Sequence, residues 1–314
     1  MSTSPDIVSL GEPLIEFNRP KEGDGRTWLQ GFGGDSQNVA IAAARQGASA
    51  GYLTSVGQDW MGDAFLELWR SEGVDASRVS RHPTAPTGVS FVTHSAAGHK
   101  FDYLRKNSAA SLMEPVGLAA DYIAGAKFFH LSAIGQAISD GARQTCAAAV
   151  DAARKAGVKV SYDTNLRLRL WDLDTARATI HATMARCDIA LPSLDDSQQL
   201  TGLAKPEDIA DFYLGLGAPL VALKMGSEGA LIASRDGRLH VPPHRVNAVD
   251  ATGAGDTFDG AFLARLLAGD GVEAAARYAN VAAALSTLGY GAVTPIPRKD
   301  EVMAAMKRPN TLTC

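Results

Sequence analysis

Short apolar runs rich in β-branched residues alternate with longer alanine-rich segments along most of the chain, and this rhythm restricts the fold more than any other feature. Ile7-Leu10 precedes 36–47, Tyr52-Val56 precedes 60–72, Phe128-Leu131 precedes 139–156, and Val158-Tyr162 precedes 174–186. Ile189-Leu191 then leads to 195–202 and 206–215, and Leu220-Leu223 to a strand pair near 230–241, before helices at about 254–268 and 272–287. Strand followed by helix, repeated, predicts right-handed crossovers and a mostly parallel sheet with helices on both faces. The expected class is α/β, and small-residue segments such as Val39-Ala44 and Ala147-Ala153 suit close packing on a sheet.

Two regions break the rhythm. Residues 14–32 and 87–106 read as hairpins around turn signals, inserted between βα units. Together they are expected to form a small antiparallel sheet, a lid on the main body. No linker or repeat divides the 314 residues, so a single domain over 1–314 is expected.

A net charge of −4 gives no basic excess to attract nucleic acid or an anionic membrane. Cys146, Cys187 and Cys314 lack metal-type spacing and suit a reducing compartment. The start has no basic region followed by an apolar run, and no stretch approaches a membrane span, so a cytoplasmic location is expected.

The 31 glycines follow no period and must serve chosen backbone positions. There is no G-x-x-x-x-G-K-[ST], and near misses to G-x-G-x-x-G at 215–217 and 289–291 end in the wrong residue. The strongest signal is Asp250-Ala251-Thr252-Gly253-Ala254-Gly255-Asp256-Thr257-Phe258, opening a long helical pattern. Thr252 is the expected N-cap, and the glycines leave first-turn N–H groups open to a ligand. Such donors at the positive end of a helix suit a phosphoryl group, so Gly253, Ala254 and Gly255 read as an anion hole. Asp256 lies in the same turn, placed to take a proton from an attacking hydroxyl. An ordinary glycine-bearing helix start, with an aspartate complementing the dipole, would use the same residues.

Gly33-Gly34-Asp35-Ser36-Gln37-Asn38 opens another helix with groups suited to sugar hydroxyls, although many capped helices begin this way. Asp163 and Asn165 fall at the carboxyl end of a strand, where ligands collect in open α/β sheets. Lys224-Met225-Gly226-Ser227-Glu228-Gly229 follows another strand and suits nucleotide phosphates, or is simply a hairpin turn.

Gly33-Gly34 with Asn38, Ala40 and Gly47, then Gly57-x-Asp59-x-x-Gly62, then Asp250-x-Thr252-Gly253-Ala254-Gly255-Asp256 resemble, in order, the signature regions of the ribokinase-like (PfkB) carbohydrate kinases. Within that family the chain is most similar to the 2-keto-3-deoxygluconate kinases. The similarity lies in Gly11-Glu12-Pro13-Leu14-Ile15-Glu16-Phe17, Gly34-Asp35-Ser36-Gln37-Asn38, Tyr103-Leu104-Arg105, Asp163-Thr164-Asn165-Leu166-Arg167-x-x-x-Trp171 and Pro192-Ser193-Leu194-Asp195-Asp196. The resemblance implies a ribokinase-like three-layer fold with a β-sheet lid, and ATP-dependent phosphorylation of 2-keto-3-deoxygluconate to its 6-phosphate with Mg2+.

It also implies roles for particular residues. Gly34, Asp35, Ser36, Gln37, Asn38, Tyr103 and Leu104 would contact the sugar, and Arg105 and Arg167 would clamp its carboxylate in paired charge-assisted bonds. Asn165, Arg167, Lys224, Gly226, Ser227, Gly229, Gly253, Ala254, Gly255 and Gly291 would meet the nucleotide. Asp196, in a segment that departs from the broader family's N-x-x-E, would hold magnesium-bound waters, while Asp250 and Thr252 would border a potassium-like ion. Another sugar kinase of this fold, acting on fructose, ribose or 2-keto-3-deoxygalactonate, is the alternative, and a non-catalytic sugar or nucleotide sensor is a further one. Exposed lid edges point to a homo-oligomer.

Overall fold

A computed structural model describes residues 4–22, 24–95 and 98–307. Gly23, Ala96 and Ala97 in the expected lid segments, and Cys314, lie outside the described residues. The strands are β1 Ile7–Leu10, β2 Leu14–Asn18, β3 Leu29–Gly33, β4 Ala50–Leu53, β5 Ser55–Gly57, β6 Val74–Asp75, β7 Ser80–His82, β8 Gly88–Ser95, β9 Gly98–Leu104, β10 Phe128–Ser132, β11 Lys159–Asp163, β12 Ile189–Ala190, β13 Leu220–Lys224, β14 Ala230–Ser234 and β15 Gly237–Val241. The helices are α1 Asp35–Arg45, α2 Trp60–Glu72, α3 Ala120–Ala124, α4 Ala133–Ala137, α5 Asp140–Lys155, α6 Leu173–Met184, α7 Leu194–Thr201, α8 Pro206–Leu216, α9 Ala254–Leu267, α10 Val272–Ser286 and α11 Lys299–Met306.

Nine strands form the main sheet in the order β15-β14-β13-β12-β11-β10-β1-β4-β6. Pairing is parallel except at β13-β14-β15, where a hairpin closes one edge. Successive side chains point to opposite faces of a strand, and two cores result. Ile7, Ala222 and Ile232 pack under α1, α9 and α10, whereas Val8, Val221 and Leu231 pack under α5, α6 and α8. The three-layer α/β fold with a mostly parallel sheet is therefore the observed one. Among the described residues no helix is long and apolar enough to cross a membrane.

The four-stranded second sheet has the order β3-β2-β8-β9. Its two hairpins are antiparallel internally, but β2 and β8 pair in parallel, with Leu14 opposite Gly88. The expected all-antiparallel arrangement is corrected at this central seam: the first strands of the two hairpins lie side by side and run the same way. The predicted strand 52–56 is also divided, into β4 in the main sheet and β5, which pairs with β7.

Candidate active site

The carboxyl ends of β1, β10, β11 and β13, the starts of α1 and α9, and one face of the second sheet enclose a cleft of about 730 Å³. That size accommodates a ligand larger than a single monosaccharide.

At its floor α1 and α9 cross closely because α9 carries Gly260. A Cβ there would lie 2.5 Å from the Val39 carbonyl oxygen and 2.6 Å from the Ala42 Cβ. One turn back on each helix, Asn38 Nδ2 donates to Asp256 Oδ2 at 2.8 Å. Burial, then the neighbouring Asp35, push the Asp256 carboxyl up to about 7, against the Asn38 bond that favours its charged form. Asp35 is raised too, by burial and by Asp163, while the Ser132 hydroxyl bonded to its Oδ2 opposes the shift. A carboxylate poised near neutrality, held by an amide and facing an open cleft, is equipped to accept a proton.

Gly253 caps α9 at φ 75°, a left-handed conformation, and no side chain caps the helix. The expected Thr252 cap is corrected: its hydroxyl donates to Asp250 Oδ1 at 2.7 Å instead. Behind Gly253, the Gly255 and Asp256 amides occupy the first turn, where helix geometry supplies no partner, and both residues line the cleft. Ala254 does not; its N–H is turned back to the Ala251 carbonyl at 3.2 Å.

At the opposite end the second sheet contributes Tyr103, and the chain just beyond it Arg105. Arg105 donates through Nε and Nη2 to Glu12, whose other oxygen accepts from Ser108, and it stacks over the Tyr103 ring at 4.7 Å. One edge of its fork is therefore already taken. Arg167 lies beside the Tyr103 hydroxyl and bonds the Leu166 carbonyl at 2.8 Å, and no carboxylate pairs with it among the described residues. Leu104 is corrected: strand alternation turns it away from its neighbours and leaves it 67% exposed, outside the cleft.

Ser36 and Gln37 are corrected on similar grounds. Both point into the protein from α1, Ser36 to the Tyr52 hydroxyl and Gln37 to Trp69 and Asn38, while Gly34 and Asp35 line the cleft. Gly34 is required on two counts: its φ of 113° disfavours a side chain, and a Cβ would lie 2.3 Å from the Glu12 carbonyl oxygen.

Toward the third side lie Asn165, Lys224, Gly226, Ser227, Asp195 and Asp196. Asn165 holds an unusual φ of 21°, with its N–H on Asp163 Oδ1 at 3.2 Å. Lys224 is not a bare cation: Nζ lies 3.0 Å from Asp163 and 2.9 Å from both oxygens of Asp259. Burial opposes its charge, but the two carboxylates outweigh burial and hold it protonated. Asp259 was not legible as a site residue beforehand. Gly229 is outside the cleft, packed against the Val241 carbonyl.

Asp196 Oδ2 accepts from the Leu166 N–H at 3.0 Å, and with Asp195 it presents carboxylate oxygens suited to a hydrated hard cation. Asp250 is different. Its oxygens accept from Thr252 N–H and Oγ1, Asn18 Nδ2 and the Gly291 N–H, which tie it to both neighbouring segments. Gly291 lies against a smaller cavity under the second sheet, not in the main cleft. Glu16, on β2, lines both cavities at 3% exposure with Oε1 unpartnered, and burial, then Asp250, push its carboxyl up to about 7. The strand alternation that places Leu14 inward would have flagged it.

Residues 4–299 match the model of the pfkB family carbohydrate kinases. The chain is 32% identical to a 2-dehydro-3-deoxygluconokinase of Bacillus subtilis over 98% of its length and 97% of the relative's. It is 33% identical to fructokinase-1 of Oryza sativa, covering 96% and 97%. A putative ribokinase II from E. coli, solved with ATP and Mg2+, superposes with a TM-score of 0.89 at 26% identity, covering 96% and 99%. With the glycine-bounded helix start, the Asn38-held carboxylate and this match over nearly its whole length, the chain belongs to the pfkB family of carbohydrate kinases.

Proposed function

We propose that the chain transfers the γ-phosphoryl group of ATP to the C6 hydroxyl of 2-keto-3-deoxygluconate, giving the 6-phosphate and ADP. The observation that carries this reading is Arg167, a guanidinium lining the cleft beside Tyr103 that makes no direct ion pair among the described residues, with Asp196 near enough only to feel its charge. A cation in a partly desolvated cleft is most stable opposite an anion, and a carboxylate matches its fork in two parallel bonds.

With the substrate carboxylate at Arg167 and Tyr103, the far end of the sugar extends toward Asp256, and Gly34, Asp35 and Asn38 lie along its hydroxyls. Asp256 accepts the C6 hydroxyl proton as the new O–P bond forms and the bond from phosphorus to the ADP oxygen breaks. The Gly255 and Asp256 amides face the charge gathering on the transferred oxygens. Asn165, Gly226, Ser227 and Gly253 border the nucleotide. Asp195 and Asp196 would hold Mg2+ through water, and that ion neutralises phosphate charge when bound. The second sheet covers the sugar and keeps water from competing for the phosphoryl group.

A neutral ketohexose is the second reading, because fructokinases are as similar as the keto-acid kinase and because Glu12 already neutralises Arg105. Coupled ADP release with the gluconate- and galactonate-derived keto acids, fructose and ribose separates the two. A kcat/KM for a keto acid about 100-fold above that for fructose is expected from two charge-assisted bonds. A preference for fructose overturns the proposal.

A further inference from the structure

We propose that Asn18 is a positioning residue that ties the second sheet to the anion hole, so that the start of α9 is set by the same piece of structure that covers the cleft. Asn18 is the last residue of β2, is buried, and does not line the main cleft. Its Nδ2 donates to Asp250 Oδ2 at 3.0 Å, and its Oδ1 lies 2.8 Å from His94 Nε2 on β8. Asp250 passes this restraint onward. It accepts the Thr252 N–H at 3.0 Å, the Thr252 hydroxyl at 2.7 Å and the Gly291 N–H at 3.0 Å. Thr252 is followed directly by Gly253, whose left-handed backbone turns the chain into α9.

A second set of contacts joins the same two bodies. Lys21 Nζ donates to the Val249 carbonyl at 2.8 Å, its N–H donates to the Tyr290 hydroxyl at 3.3 Å, and the His94 and Tyr290 rings meet edge to face at 5.6 Å. Both segments that flank the anion hole, 249–252 and 290–291, are therefore gripped from the second sheet. The central link in this chain is Asn18, whose side-chain amide bonds Asp250 on one side and His94 on the other. Without it the buried Asp250 loses a donor, and, among the described residues, the loop carrying Thr252 and Gly253 is restrained from that side only through Lys21 at Val249.

The inference rests on the phosphoryl-transfer reading only for its kinetic arm. Amide hydrogen exchange and steady-state kinetics on Asn18→Ala, His94→Ala and the double variant test it. Asn18→Ala is expected to speed exchange at residues 252–256 while exchange in α5 stays as in the unaltered protein. It is expected to lower kcat about tenfold, or about 1.4 kcal/mol in barrier, with KM for the sugar changed less than about twofold. His94→Ala should do the same more weakly, and the double variant should fall short of the sum of the two single losses, because the Asn18–His94 bond is shared while the His94–Tyr290 ring contact is separate. Unchanged exchange at 252–256, a change in KM alone, or additive losses in the double variant overturns the proposal. If Asn18→Ala does not fold, His94→Ala decides by the same exchange and kinetic criteria. The exchange arm needs no sugar, so an unaltered protein without turnover on any sugar defeats the proposed function and leaves this test standing.

Discussion

The two ends of the cleft are held by different forces. At the floor, Asn38 and Asp256 stand on helices pressed together through Gly260, and their 2.8 Å bond is a product of packing. Under the second sheet, Arg105 and Arg167 stand at the end of a strand and in a loop, and charge pairing distinguishes them: Glu12 is ion-paired with Arg105, whereas among the described residues Arg167 makes no ion pair and only lends its charge to Asp196. Close packing fixes a group's position and yields only if whole helices move. Ion pairing fixes how much charge is on offer, and one side chain can change it. On the proposed function, the chemical step falls to the packed end and the choice of sugar to the paired end.

The sharpest test of this contrast is Asp256→Asn, which keeps the packing and removes the base. Turnover should fall about 10²- to 10⁴-fold with little change in melting temperature; near-normal turnover would end the assignment. Arg167→Ala should then lower kcat/KM for the keto acid by about 10- to 100-fold and barely affect fructose. Equal losses on both sugars would erase the distinction between the ends.

Gly260→Ala probes packing directly. Its Cβ collides with backbone, so a destabilisation of about 1–3 kcal/mol is expected, seen as a lower melting temperature, with kcat falling and KM for the sugar little changed. A change confined to KM would place Gly260 at the wrong end.

The smallest effect is a shift on the pH axis. Ionising Asp256 disfavours the fold: its contribution to stability is present below its ordinary value of 3.8 and is lost as pH rises to about 7. Activity has the opposite sign, since the base works as the carboxylate, so kcat/KM should climb through about pH 7. Asn38→Ala removes a bond to the charged form and should move that limb upward; a limb that stays in place would show that Asn38 does not tune the base.

What was legible beforehand follows the range of the interactions. The βα rhythm and the run from Asp250 to Phe258 are local patterns, and both carried over into strands, helices and a helix start at the cleft. Leu104 was misread although period-two alternation was available, and Ser36 and Gln37 because a motif names neighbours without saying which way each side chain points. Glu12 with Arg105, Asn18 with Asp250, and Lys224 with Asp259 were not legible. Those partners stand 93, 232 and 35 residues apart, and no spacing rule joins them. The cap failed for the opposite, local reason: Thr252 is a fitting N-cap by type, but Asp250, two residues before it, takes its hydroxyl.

The bond between Asn38 and Asp256 closes a separation of 218 residues. During synthesis α1 therefore emerges long before the helix that covers it, with Val39 and Ala42 awaiting a partner still to be translated. By the time Arg167 has been added, every proposed sugar contact but the base is in the chain. Non-local pairings are the slow ones to form. A nascent chain stopped short of α9 would lack the proposed base and its anion hole, and the core over α1 stays open until α9 and α10 have both been made.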